Sequence, residues 1–322
     1  MQCVTRFLKG YIMKKAISII LIAVSVLLCL CSCGEKEDRS GESGYSFTDD
    51  SGRSVTVNSH ERVAALLGSY ADIWMLAGGT VCASADDAWE DLNLPMPEDA
   101  VNLGKSHSPS KDELLASNPD FVLASSKLSG HLEMRETLEN AGITVAYFDV
   151  SDFDGFLHML KICTDITGKP ELYEQYGTAQ KTEIDAILER SKGQPAQKVL
   201  VMKVSASTIN AKNTSGTMLG GMLRDFGCIN IADSDSSLLD NLSIESIIQQ
   251  NPEKIFFVQM GDNVDGTKKN VEKLFSENPL WNELDAVKNG NVYYMEKELY
   301  NMKPNARFAE AYEKLEKILY EE

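Results

Sequence analysis

The chain has 322 residues, a formal net charge of -17, seven cysteines and four histidines. A surface this acidic repels phosphate backbones and anionic headgroups, which excludes nucleic-acid binding and charge-driven membrane association. The length suits two domains of ordinary size, and 43% hydrophobic residues are enough to build a core in each.

Met1 to Lys15 carries Arg6, Lys9, Lys14 and Lys15 and no acid, and Ala16 to Leu30 is an apolar run. That run is too short to span a bilayer comfortably and reads as the core of a secretory signal peptide. Leu30, Cys31, Ser32 and Cys33 resemble the bacterial lipobox, whose final cysteine takes lipid. Residues 1–32 are therefore expected to be the signal peptide and Cys33 the lipidation site, and Met13, followed by Lys14 and Lys15, is the better start. Cleavage removes four basic and no acidic side chains, so the remainder is more acidic still and lipid, not charge, holds it at the membrane. Residues 33–44 are polar and glycine-rich, as suits a flexible tether. Cys82, Cys163 and Cys228 remain. They form no paired spacing and lie in apolar contexts, which predicts buried thiols.

Residues 45–150 read as one α/β lobe. Strands are predicted at Arg62–Leu67, Val81–Ala85, Phe121–Ser125 and Ile143–Phe148, with helices at Tyr70–Ala77 and from Ser110 and His131. Residues 151–193 read as connecting helices. The long one is Pro170–Lys192, with proline in its first turn, Glu171 and Glu174 near its start, and Arg190 and Lys192 at its end. At ~1.5 Å per residue it spans about 35 Å, enough to brace two lobes at a fixed separation. Residues 194–322 repeat the first pattern: strands Lys198–Val204, Ile229–Ile231, Lys254–Val258 and Asn291–Met295, with helices Gly216–Phe226, Ser243–Gln250 and one from Pro304.

A local repeat links the lobes. SKDELLASNPDFV from Ser110 and SIESIIQQNPEKI from Ser243 align with Pro119 on Pro252, each a short helix, an Asn-Pro stop and an apolar strand. The expected fold is α/β, with two Rossmann-like lobes of mostly parallel sheet joined by one long α-helix. Ligands of such sheets bind beyond the carboxyl ends of the strands, in a cleft between the lobes.

The lipobox, RVAALLGSYADIWMLAG from Arg62, the paired helix-Asn-Pro-strand units, the single connecting helix and AVKNGNVYY from Ala286 together resemble the substrate-binding lipoproteins of ABC importers. The subgroup is the one serving ferric siderophores, haem and vitamin B12. The resemblance covers the chain from Cys33 onward and implies the class III periplasmic-binding-protein fold. It also implies a monomer without enzymatic activity or intrinsic cofactor, lipid-anchored on the extracytoplasmic face of the cell membrane of a bacterium lacking an outer membrane. Its ligand is implied to be a metal chelate (ferric siderophore, haem or cobalamin), delivered to a permease dimer with ATPase subunits. One acid on each lobe, seven positions before a proline, is implied to meet permease arginines; here these are Asp112 and Glu245. Acids in a helix's first turn also favour its dipole, and Ser110 with Glu113 fits a capping box.

Loops at the expected cleft carry Ser69, Tyr70, Asp86 to Trp89, Lys105 to Ser108, Ser125 to Lys127, Lys203 to Ser207, Asn213, Met260 and Tyr300 to Lys303. Tyr70, Trp89, His107, Lys127, Asn213, Met260, Tyr300 and Lys303 are the candidate ligand contacts, since rigid aromatic faces and cationic tips suit a large anionic chelate. Tyr70 equally starts a helix, and Trp89 equally packs under its loop. His60, His107, His131 and His158 have no ligand-like spacing, so a receptor for a free transition-metal ion is the second reading. A surface hydrolase is the third. No G-x-S-x-G or H-E-x-x-H occurs, Gly104-Lys105-Ser106 lacks the first glycine of a phosphate loop, and Gly216 to Gly221 lacks the dinucleotide spacing.

Overall fold

The computed structural model describes residues 44–240, 242–261 and 263–321. The expected signal peptide, the expected lipidation site Cys33 and all of the expected tether but Gly44 lie outside the described residues. Those described belong to one compact unit, Gly44–Glu322.

β1 (Tyr45–Thr48) and β2 (Ser54–Val57) form an antiparallel hairpin. Asp49 closes its turn by accepting the Ser51 and Arg53 N–H groups, and Gly52 supplies the positive φ. This hairpin is absent from the sequence-based expectation, although a Ser-Gly turn and the alternating Ser-Val-Thr-Val were available signals.

The first sheet contains β3 (Val63–Ala65), β4 (Val81–Ser84), β5 (Val101–Asn102), β6 (Phe121–Ser125) and β7 (Thr144–Phe148) in the order β5-β4-β3-β6-β7, every pair parallel. Around it lie α1 (Gly68–Leu76), α2 (Asp87–Glu90), α3 (Lys111–Ala116), α4 (Ser129–Leu132) and α5 (Arg135–Asn140). The helix expected from His131 is thus two short ones. α6 (Phe153–Thr167) and α7 (Ala179–Arg190) lead to the second sheet. There β8 (Lys198–Val204) pairs antiparallel with β9 (Ile209–Lys212). It also pairs in parallel with β10 (Ile229–Asn230) and β11 (Lys254–Gln259), and β12 (Val292–Met295) lies outside β11. α8 (Met218–Asp225), α9 (Ile244–Gln250), α10 (Val264–Glu277) and α11 (Phe308–Tyr320) are the longer helices of the second lobe. The fold is bilobed α/β with one parallel and one mixed sheet, in agreement with the expected class. Cys163 is buried, whereas Cys82 and Cys228 are only half-buried; all three are unpaired.

The repeat has the same construction in both lobes. Ser110 accepts the Glu113 N–H, and Ser243 accepts the Ser246 N–H, each at 3.3 Å, capping α3 and α9. Asn118 and Asn251 both take left-handed conformations (φ 49° and 44°) where those helices end, a geometry asparagine tolerates. The acid after each proline then fastens the neighbouring strand. Asp120 accepts the Glu61 and Arg62 N–H groups beside β3, and Glu253 accepts the Lys198 N–H of β8.

Pro170–Arg190 runs as one helix, interrupted by a π-helical segment at Glu174–Thr178. A uniform α-helix was expected; the widened turn coincides with Gly177, where an added Cβ would meet Leu157 of α6 at 3.1 Å. Gln180 donates to the Tyr176 carbonyl there (2.7 Å) and to Asn305 O (3.0 Å), while accepting the Ala309 N–H. Lys169 donates to Gly78 O in the first lobe, and Arg190 donates to Glu316 of α11 in the second, at 2.8 Å. The helix therefore touches both lobes and is fastened at each end.

A continuous apolar core crosses between the lobes. At its centre Phe153 and Phe156 of α6 meet Phe308, with ring centroids 5.0 Å and 5.4 Å from it. Asn305 adds hydrogen bonds to Ser69 O and Asp72, and Lys297 pairs with Asp91 at 2.6 Å. Truncating the fully buried Phe308 to alanine is expected to cost about 3–5 kcal/mol. Urea unfolding followed by fluorescence should retain a single transition at lower denaturant, because the lost contacts belong to both lobes; two separated transitions would show independent cores.

Candidate functional site

Chain reversal on either side of β3 in the first sheet, and of β8 in the second, leaves a crevice beyond the carboxyl ends of each set of strands. The two crevices join in a cleft of about 590 Å³. The first lobe contributes Leu67 and Tyr70 after β3, Ser106 and His107 after β5, Ser125 at the end of β6 with Lys127 and Leu128 after it, and Asp149 to Ser151 after β7. The second contributes Lys203 near the end of β8, Ser215 to Met218 at the start of α8, and Asn301 and Lys303.

The walls differ in charge. On the first, Lys127 pairs with Asp149 at 2.9 Å, and that carboxylate also accepts the Ser151 hydroxyl. The second presents Lys203 and Lys303, and no carboxylate among the described residues lies within 4.0 Å of either ammonium. Burial lowers the Lys203 pKa, and Lys212 adds to the effect. Burial, reinforced by Lys203 and opposed by Asp87, pulls Lys303 down to about 8. The Lys303 ammonium stands 5.6 Å from the Tyr70 ring centroid. Thr217 caps α8 through the Gly220 N–H, so the start of that helix faces the same wall.

Tyr70 is buried and donates its hydroxyl to Phe148 O at 2.9 Å; burial raises its pKa, so it offers an aromatic face and no phenolate. His107 lies exposed on its loop. Behind the first wall, His131 is fully buried. Its Nδ1 accepts the Ser125 N–H at 2.9 Å, and its Nε2–H donates to Ser106 O at 2.7 Å. A donor on one side and an acceptor on the other fix the neutral tautomer. Burial, helped by Lys303 and opposed by the Ser106 hydrogen bond, holds its pKa below the usual range.

Of the residues predicted from sequence, the cleft brings together Tyr70, His107, Lys127 and Lys303. The other four lie outside its lining. Trp89 is half-buried on α2, Asn213 accepts the Gly216 N–H ahead of the lining stretch, and Met260 donates its N–H to Val204 O. Tyr300 is buried with its hydroxyl on Ala311 O and borders a separate hollow of about 350 Å³ beside Lys314. Its position at a loop start did not reveal which way the ring turns. Asp112 and Glu245 are exposed in the first turns of α3 and α9, at matching places in the two lobes. Sequence reasoning missed Asp149 to Ser151, the start of α8 and the role of His131. The first lies at a predicted strand end and was recoverable; the imidazole's partners, six and 25 residues away, were not.

A family model described as periplasmic binding protein matches residues 63–299. Lipoprotein YhfQ of Bacillus subtilis, named for ABC transporter substrate binding, is 23% identical over 93% of this chain and 96% of its own length. The Fe(3+)-citrate-binding protein YfmC of the same organism is 23% identical over 87% of this chain and 89% of its own. The solved structure of Staphylococcus aureus SirA complexed with staphyloferrin B shares the fold, with a TM-score of 0.64 at 20% identity over 86% of this chain and 97% of that one.

The buried imidazole makes acid sensitivity predictable. As pH falls below about 6.5, the ordinary histidine value, the unfolded chain takes up a proton that the folded ring resists. Stability from this group is whole above that pH and is lost as pH falls through the lowered folded pKa. The stability difference between pH 7.5 and pH 5, measured by urea unfolding, should be smaller in His131→Asn than in the unaltered protein. Equal differences would show that the ring contributes nothing to the acid response.

Proposed function

This chain belongs to the periplasmic binding protein family, and we propose that the solute it captures for its ABC importer is an anionic ferric chelate. The carrying observation is the pair Lys203 and Lys303, two cations on one wall with no carboxylate partner among the described residues. Withdrawing an ammonium from water without a counter-ion is unfavourable, and an incoming anion offsets that cost. The volume of about 590 Å³ is within the range of small-ligand sites. Among the described residues no group of three His, Cys, Asp or Glu side chains is placed to hold a metal ion, which favours a metal that arrives already wrapped. The names of two similar proteins, one for ferric citrate and one complexed with staphyloferrin B, support the same class. Tyr70, His107, Lys127 and Lys303, with Lys203, are the proposed contacts. Haem also carries two carboxylates, and the binding panel below separates it.

The proposed organisation is a signal peptide (1–32), a tether (33–44) lipidated at Cys33, a first lobe (45–150), connecting helices (151–193) and a second lobe (194–322). The receptor then works as a monomer on the outer face of the membrane. Asp112 and Glu245 would present one exposed acid per lobe to cationic residues of the permease, whose ATPase subunits drive uptake.

Titration calorimetry of the chain from Gly34 onward, with ferric citrate, a carboxylate siderophore, a cationic hydroxamate chelate and haemin, tests the cargo. Lys203→Ala and Lys303→Ala are each expected to weaken the carboxylate chelates about tenfold or more, roughly 1.4 kcal/mol, and to leave the hydroxamate unaffected. Preferential binding of the hydroxamate, or silence across the panel, would overturn the assignment. Because unliganded Lys303 titrates at about 8, its affinity contribution should decline as pH rises above that value, and binding there should take up protons. Calorimetry in two buffers of different ionisation enthalpy reads that uptake directly. Separately, the Asp112→Arg, Glu245→Arg double variant should lose uptake by cells while keeping ligand affinity; unchanged uptake would remove both acids from docking.

A further inference from the structure

The loop carrying Ser106 and His107 follows β5 at one edge of the first sheet, whereas Ser125 ends β6 on the far side of β4 and β3. Ladder hydrogen bonds therefore do not connect these two parts of the cleft wall. The loop's base is tied by Leu103 N–H to Ser84 O, by Asp86 N–H to Gly104 O, by Ser110 N–H to Leu103 O, and by the exposed Lys105 ammonium to Asp86 at 2.6 Å. Its tip contains a turn from Ser108 N–H to Lys105 O. Among the described residues, the hydrogen bond from the rest of the lobe to Ser106 and His107 is the one donated by His131.

The same ring accepts the Ser125 N–H, and its helix α4 follows directly on Lys127 and Leu128. The Tyr147 hydroxyl holds the His131 carbonyl at 3.3 Å. Close approach is built in one residue earlier: a Cβ on Gly130 would fall 2.4 Å from His107 O, so only glycine lets α4 lie against the tip.

We propose that His131 is the positioning residue of the first-lobe wall. Its buried neutral imidazole sets the distance from Ser106 and His107 to Ser125, Lys127 and Leu128, without itself lining the cleft. The consequence for affinity rests on the cargo assignment above; the consequence for the wall does not.

Hydrogen–deuterium exchange on the unliganded protein decides it. In His131→Asn the amide oxygen replaces Nδ1 as acceptor for Ser125, but nothing reaches Ser106. Exchange over residues 103–109 should then rise at least tenfold while residues 121–126 stay near their original rates. His131→Gln, whose amide nitrogen replaces Nε2, should do the reverse. Gly130→Ala, which leaves the imidazole intact but crowds His107 O, should reproduce the 103–109 signature. In all three, strands 198–204 and 254–259 should be unchanged, and ferric citrate affinity should fall about tenfold. Unchanged exchange over 103–109 in His131→Asn, or a uniform rise through both lobes, would overturn the positioning role. Failure of the unaltered protein to bind ferric citrate would count against the cargo assignment alone, since the exchange pattern still decides the role of His131.

Discussion

The contact of Phe308 with Phe153 and Phe156 lies at the centre of the apolar core that joins the two sheets. Those rings lie in a core that continues into both lobes, and the helix ending at Arg190 lies alongside, anchored by Gly78 O in one lobe and Glu316 in the other. Gln180 and Asn305 bridge the same seam through buried hydrogen bonds. Close-packed interiors do not deform continuously, so such a junction favours small adjustments about a preset separation over wide hinge motion.

Within that frame the two walls divide the work. The first pairs its own cation with its own acid and presents hydroxyls, a tyrosine face and an exposed imidazole. The second leaves two ammonium groups without carboxylates beside the start of α8. On the proposed reading, the second lobe would recognise the charge of a bound chelate and the first its shape. Burial brings Lys303 down to about 8, so it remains an ammonium at neutral pH, and an anionic ligand would raise that value again. A site of this kind gains electrostatic affinity and discriminates against cationic solutes with the same side chains.

The correspondence between the lobes extends to hydrogen-bond detail. Serine caps, left-handed asparagines and post-proline acids occupy equivalent positions, and the acids fasten equivalent strands. Asp112 and Glu245 follow these caps by two residues, so their paired exposure is part of the repeated unit. Their common location needs no functional explanation by itself, although it supplies two like charges at equivalent points on the receptor.

The sequence by itself determined the bilobed α/β class, the strands from Phe121 and Lys198, the capped helices of the repeat and the long helix behind Pro170. Apolar runs, caps, asparagine-proline stops and terminal charges are local signals, and each acts within a few residues of where it is written. The cleft-lining position of four of the eight candidates was also legible, because the crevice lies beyond the carboxyl ends of parallel strands. Which way a side chain turns there was decided by tertiary structure. Tyr300 faces Ala311, Met260 follows its strand without entering the cleft, and Lys203 belongs to the site only because β8 ends beside Lys303. The role of His131 was likewise invisible, since it depends on a loop from one edge of the sheet crossing to a helix beyond β6. Such placements are fixed by packing between segments far apart in sequence, and that physical information is absent from local patterns.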